Sequence, residues 1–216
     1  MFPVSDVIPS RTTPYVTIAL IALNTAVFVA ELSLGDALPR FVFSFGLVPA
    51  LFSWPALVTS MFLHGDWLHF LGAMLFLWIF GDNVEDRLGH ARYTLFYLLC
   101  GASAAIGHVI FYPYSAVPVI GASGAVSGLM GAYFVLYPQS RVLTAVFLIF
   151  IVDLIEVPAT FFLGLWFLIQ LFSGVGSLDV AAGEIAFWAH IVGFAVGALT
   201  ALGWRIAERI KRISYP

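Results

Sequence analysis

Charge and cysteine are both scarce in this chain. Only 10% of its 216 residues are Asp, Glu, Lys or Arg, and 62% are hydrophobic; an ordinary soluble domain carries about 25% charged residues. With a mean hydropathy of +1.02, the chain cannot hide its apolar surface in one aqueous core, so lipid must cover much of it. Cys100 is the single cysteine, which excludes an internal disulfide; amid apolar residues it reads as packing. No basic run occurs outside the C-terminal tail, which argues against nucleic acid as a partner. There is no HExxH motif, and His64 and His69 are five apart, poorly spaced for two ligands on one helix face, so neither a metal centre nor a cofactor is expected. No cleavable leader is expected either, because the first apolar run, from Tyr15, is long enough to span and lacks a convincing small-residue cleavage site. Nothing low in complexity divides the chain, and residues 1–216 read as one domain with a core of about 15–205.

What is present is a series of apolar segments. Six read as membrane spans: about Tyr15–Leu34, Leu57–Phe80, Ala91–Tyr112, Ala122–Tyr137, Val142–Phe172 and Ile185–Trp204. Each is bounded by charge, Pro or Gly. The expected fold is an all-α polytopic bundle. Between the first two spans, Phe41–Trp54 is hydrophobic but broken by Gly46 and Pro49, and it reads as an interfacial or re-entrant element. With an even number of spans both termini share a side. Placing them in the cytoplasm puts Arg11, Arg87, Arg92, Arg141, Arg205, Arg209, Lys211 and Arg212 inside and only Arg40 outside, as the positive-inside rule asks. The expected setting is an inner membrane of a prokaryotic cell.

Topology then sets depth. Ser123 is 14 residues above Tyr137, and His190 is 14 above Trp204. Both therefore stand about 21 Å from the inner edge of a core about 30 Å thick, in its outer part. Polar groups buried at matched depth call for a function. The fourth span is too short to cross alone, so its outer end must lie below the surface under the loop Phe111–Ile120. That loop can dip inward only if protein or water shields its backbone, and a water-filled cavity open to the outside is inferred. His69 also falls in the outer half, with His64 higher. The fourth span carries Gly124, Ser127, Gly128 and Gly131, and the sixth carries Ala189, Gly193 and Gly197. Such small faces allow close helix packing in lipid. His190 shares its face with Gly193 and Gly197. Asp153 and Glu156 would share a face of the fifth span on an unbroken helix; broken at Pro158, they could instead be solvated near a cavity.

Several motifs stand in order. Gly121-Ala122-Ser123-Gly124 resembles the GxSG nucleophile motif of the rhomboid intramembrane serine proteases. Ala189-His190-Ile191-Val192-Gly193, followed by Gly197, resembles that family's AHxxGxxxG motif. His64 to His69 resembles its histidine pair, and Gly81, Glu85 and Gly89 its GxxxExxxG turn. The resemblance implies a six-helix rhomboid-like bundle and a Ser–His dyad without an acidic third member. The acid nearest His190 in the sixth span is Glu184, higher toward the loop. Ser123 would attack the scissile carbonyl and His190 would move the proton. The backbone N–H of Ser123 and the side chain of His69 would serve the oxyanion. His64, Gly121, Gly124, Gly193 and Gly197 would support the site, and transmembrane proteins within the lipid bilayer would be the substrates. The resemblance also implies a lateral opening between spans two and five.

Three departures stand out. The family's usual oxyanion Asn falls on Ala73. A Tyr that stacks on the catalytic His in some members, one turn after the nucleophile, is here Ser127. The first-loop Trp-Arg pair is missing, with only Trp54 nearby. The rival readings are a non-catalytic rhomboid-like protein that binds transmembrane clients, raised by Ala73, and a small transporter using Asp153 and Glu156. The oligomeric state is not legible.

Overall fold

A computed structural model describes residues 2–148, 151–177 and 186–214. Strand β1 (Phe2–Asp6) precedes α1 (Tyr15–Ser33). A connecting region follows with two short helices, α2 (Leu38–Phe45) and α3 (Ala56–Thr59). Then come α4 (Trp67–Leu88), α5 (His90–Phe111), α6 (Ser123–Leu136), strands β2 (Arg141–Leu148) and β3 (Ile151–Pro158), α7 (Ala159–Gly176) and α8 (Phe187–Ser214). The helices α1, α4, α5, α7 and α8 are long and apolar enough to cross a membrane. α6 has 14 residues, about 21 Å, and is the core of the bundle: every residue from Gly124 to Tyr133 is buried. A helix enclosed by α4, α5, α7 and α8 need not match the bilayer thickness. The chain is a multi-pass membrane protein with a predominantly helical fold.

Local chemistry explains the helix ends that frame the site. Asp66 caps α4, its side chain accepting from the His69 N–H at 2.9 Å, which satisfies one orphan donor of the first turn. Glu85, fully buried near the other end of α4, accepts from the backbone N–H groups of Val16 and Thr17, both at 2.8 Å, and from Thr17 Oγ1 at 2.7 Å. A carboxylate on the N-terminal turn of α1 satisfies orphan amides and sits at the favourable end of the helix dipole. Gly89 ends α4 with φ of +76°, a backbone shape that side chains resist. The Gly81–Glu85–Gly89 turn therefore ties α1, α4 and α5 at one end of the bundle.

Two sequence expectations are corrected. The second span begins at Trp67 and not near Leu57; residues 56–62 form α3 and a short 3-10 turn, with Leu57 and Met61 buried. The larger correction concerns Val142–Phe172. A single helix over that run would be about 46 Å long, more than the bilayer needs. Instead β2 pairs antiparallel with β3, and β1 pairs antiparallel with β2 to complete a three-stranded sheet. The β-branched run of Val, Thr and Ile favours extended chain, Pro158 holds the backbone extended, and α7 starts at Ala159. Asp153 and Glu156 consequently do not share a helix face. Three apart on a strand, they point to opposite sides of the sheet. Both are exposed, and Arg141 Nη1 lies 3.4 Å from Glu156 Oε2. The intramembrane acidic pair that motivated a transporter does not exist as a pair. Ile185, the expected start of the sixth span, lies outside the described residues.

The sheet closes the same end of the bundle as Glu85. Asp6 Oδ2 accepts from Tyr133 on α6 at 2.6 Å and from Asn83 Nδ2 on α4 at 3.0 Å. Ser10 donates to Asp82 close by. Burial pushes the Asp6 carboxyl up to about 6, the Tyr133 hydrogen bond opposing this and the Asp82 charge reinforcing it. The folded protein thus holds a proton on Asp6 where the unfolded chain, with its carboxyl near 3.8, has lost it. This group's contribution therefore falls as pH rises between those values. Asp6→Asn, a neutral mimic of the protonated acid, is expected to melt higher than wild type in detergent at about pH 7, with the gap closing toward about pH 4. A gap that does not change with pH would remove Asp6 from the account.

Candidate active site

The site stands at the end of the bundle opposite the sheet, where α6 begins. Gly121 has φ of +120°. A Cβ there would lie 2.5 Å from His69 Nε2, so both backbone shape and space demand glycine. Its N–H donates to Ser60 O at 2.8 Å. The loop before it is fastened to the connecting region: Leu47 and Val119 exchange backbone hydrogen bonds at 3.0 and 2.8 Å, and Ala50 N–H donates to Ser115 O at 3.0 Å. This is the shielding a loop needs below the surface, supplied by protein. Ser123 follows as the first residue of α6, where the N–H groups of the first turn have no acceptor within the helix.

α8 approaches α6 almost backbone to backbone. A Cβ on Gly193 would collide with the Gly124 carbonyl oxygen, one on Gly197 with the Gly128 carbonyl, and one on Gly131 with the Phe194 carbonyl. Gly124 is closed off on another side by Ala104 of α5, 2.7 Å from a Cβ built there. The small faces expected from sequence are therefore the ones that pack. They bring His190 Nε2 to 2.9 Å from Ser123 Oγ, within the reach needed between a nucleophile and its base.

The other ring nitrogen of His190 meets a residue that sequence reading missed. His190 Nδ1 lies 2.8 Å from Oε1 of Gln170 on α7. One turn earlier on the same helix, the Trp166 ring stands 6.0 Å from the imidazole at 37°. The available signal was the lone amide in the apolar run Phe161–Phe172. Glu184, the acid noted near His190, lies outside the described residues. Ser127, at the position of the family's stacking Tyr, turns back on its own helix and donates to Ser123 O at 2.6 Å.

His69 packs against Gly121 from α4, with its ring half-buried. His64 is buried, and its ring stands 5.2 Å from that of His69. Burial pushes His64 down to about 4, with the neighbouring His69 adding to the effect. His64 is therefore a neutral spacer, held in place through its backbone N–H, which donates to buried Glu31 at 3.1 Å. Ala73, one turn below His69, is buried and offers no side-chain donor. The sequence leads to a water-filled cavity open to the outside, and the space found beside Ser123 is small. A cavity of about 20 Å³ lined by Ser60, Gly121 and Ser123 is room for a single water. Among the described residues no cluster of His, Cys, Asp and Glu has the makings of a metal site.

A family model of the rhomboid domain matches residues 51–206. The chain belongs to the rhomboid family. Rhomboid protein 1, mitochondrial, of Saccharomyces cerevisiae is 27% identical over 164 residues, 73% of this chain and 43% of that protein. Rhomboid protease GluP of Bacillus subtilis is 34% identical over 124 residues, 55% of this chain and 24% of the relative. Rhomboid-like protein 11, chloroplastic, of Arabidopsis thaliana is 42% identical over 77 residues, 36% of this chain and 27% of the relative. The aligned regions thus span less than half the length of these relatives.

In this rhomboid, the spacing of α6 and α8 should govern the site. Gly197→Ala, which drives a methyl into the Gly128 carbonyl, is expected to lower the thermal midpoint in detergent by several degrees. Gly203→Ala on the same helix, where a Cβ meets nothing within 4 Å, is expected to leave it unchanged or slightly raised. Equal effects at the two positions would refute close packing at Gly197.

Proposed function

We propose that this rhomboid is an intramembrane serine endopeptidase using Ser123 as nucleophile and His190 as base. The observation that carries the reading is the 2.9 Å contact between Ser123 Oγ and His190 Nε2, made by two helices whose glycines have no other evident use. His190 takes the hydroxyl proton as Ser123 attacks the carbonyl, then gives it to the leaving amine. Water resolves the acyl-enzyme through the same base. Charge developing on the carbonyl oxygen falls at the α6 N-terminus, where the Ser123 N–H and the helix dipole favour it. His69, beside Gly121, is the second donor. With Ala73 in place of the usual Asn, one side-chain donor is lost. Such a donor is worth about 10²–10³ in rate where it is essential, so a slow enzyme is expected, still well above background.

Substrates on this reading are transmembrane helices. A helix hides its carbonyls in hydrogen bonds, so segments with small or helix-breaking residues are the ones that open. Seven of the nine cations, from Arg11 to Lys211, belong to segments at the sheet end, while Arg40 on α2 lies at the other end. Arg212 follows on the last turns of α8. This distribution supports cytoplasmic termini and a site in the outer half of the bilayer. Relatives with bacterial, mitochondrial and chloroplastic names make family membership compatible with each of those membranes.

The test is cleavage of a single-span substrate in proteoliposomes. Ser123→Ala and His190→Ala are each expected to fall to background, and an activated-phosphonate serine probe is expected to label wild type at Ser123. Cleavage by Ser123→Ala at the wild-type rate would end the protease reading. A wild-type protein that neither cleaves nor labels would favour a client-binding rhomboid.

A further inference from the structure

His190 has two ring nitrogens, and only one arrangement of its proton lets it act as a base toward Ser123. Nε2 must present a lone pair to the serine hydroxyl, so the proton must reside on Nδ1. Nothing on α6 or α8 enforces that choice among the described residues. The stacking position after the nucleophile is Ser127, which is engaged with its own backbone, and no carboxylate contacts the ring among those residues. The partner that does contact Nδ1 is Gln170 Oε1, at 2.8 Å. An amide oxygen can only accept, so this contact selects the Nδ1–H tautomer and leaves Nε2 free for Ser123.

Gln170 is delivered by the way α7 seats on its neighbours. Trp166 and Gln170 are four apart and share a helix face, which places the indole beside the imidazole while the amide meets its edge. Phe167 stacks on Phe194 of α8 with ring centres 4.7 Å apart. The base of α7 is pinned by the Ala159 N–H donating to Ser140 O at 2.9 Å. Its far end is pinned by the Tyr112 hydroxyl, 3.1 Å from Ser177 O. A glutamine side chain ordered at a packed helix interface has little freedom left to lose on holding the ring.

We propose that Gln170 is a positioning residue that, with Trp166, completes a Ser123–His190–Gln170 hydrogen-bonded chain and sets the tautomer of the base. The proposal rests on the protease reading above and deepens it. It supplies a neutral third member where serine hydrolases of other folds use a carboxylate.

The test uses the full chain in detergent with a single-span substrate, and 15N-labelled histidine to read the imidazole nitrogens. Gln170→Leu keeps size and suits an apolar helix, so it should fold. It is expected to lower kcat about tenfold, the loss of one hydrogen bond, with KM little changed. The His190 15N shifts should move away from the Nδ1–H pattern. Gln170→Glu, assayed at a pH where its carboxylate is ionised and can only accept, is expected to keep that pattern and to exceed Gln170→Leu in kcat. Wild-type kcat in Gln170→Leu would overturn the proposal, as would a loss of kcat without a change of tautomer, or a Gln170→Glu variant no better than Gln170→Leu. None of these results touches the protease reading, which stands or falls on Ser123→Ala; the nitrogen shifts report the tautomer even in a protein that cleaves nothing.

Discussion

The separation between α6 and α8 is the constraint on which this molecule depends. In lipid there is no hydrophobic gain from bringing two apolar helices together, so their affinity comes from contact at short range. Gly124 and Gly128 on one helix and Gly193 and Gly197 on the other leave carbonyl oxygens where side chains would stand. Helices that touch through backbone have one register and almost no lateral play. That rigidity carries a hydroxyl and an imidazole from different helices to 2.9 Å without help from a loop. It also explains why α6 can be short: enclosed on its sides by other helices, it is a post for the nucleophile and has no need to meet lipid at both ends.

Around that post, the polar groups of the bundle sort by what they can hold. Glu85 gathers the first turn of α1. Glu31 gathers the loop bearing His64. Asp6 gathers Tyr133 and Asn83. In each case an acid, buried for Glu85 and Glu31 and half-buried for Asp6, is matched with donors, as the cost of burying charge requires. The candidate active centre differs. There His190 meets only the Ser123 hydroxyl and the Gln170 amide through its ring nitrogens, and no carboxylate contacts that ring among the described residues. Chemistry within a membrane favours such a set, because a permanent ion at that depth would be costly.

The helices of the bundle, the paired depth of Ser123 and His190, and the close face between their helices were legible in the sequence. Each rests on a local rule: apolar length, rise per residue, and small residues at helical spacing. Gly121 was legible as part of a motif, though its reason, a turn with His69 packed into it, was not. The hairpin of β2 and β3 was missed because hydropathy measures burial and is indifferent to backbone shape. The run from Arg141 to Pro158 is as apolar as a span, and only its β-branched content and terminal proline distinguish it. Gln170 was missed for a different reason. A single amide in an apolar helix has no periodicity to reveal it, and its meaning lies in a contact with a residue 20 positions away.

The sheet has a consequence for how the chain is made. Phe2–Asp6 leaves the ribosome well before its partner, residues 142–145 of β2, which emerges only after α1, α4, α5 and α6 have all been synthesised. Until then the strand's edge has nothing to pair with, and closing so long a loop is intrinsically slow. Docking of β1 is thus a late event in biogenesis. It seals the foot of the helix that bears Ser123 only once that helix is in place, through Asp6 and Tyr133.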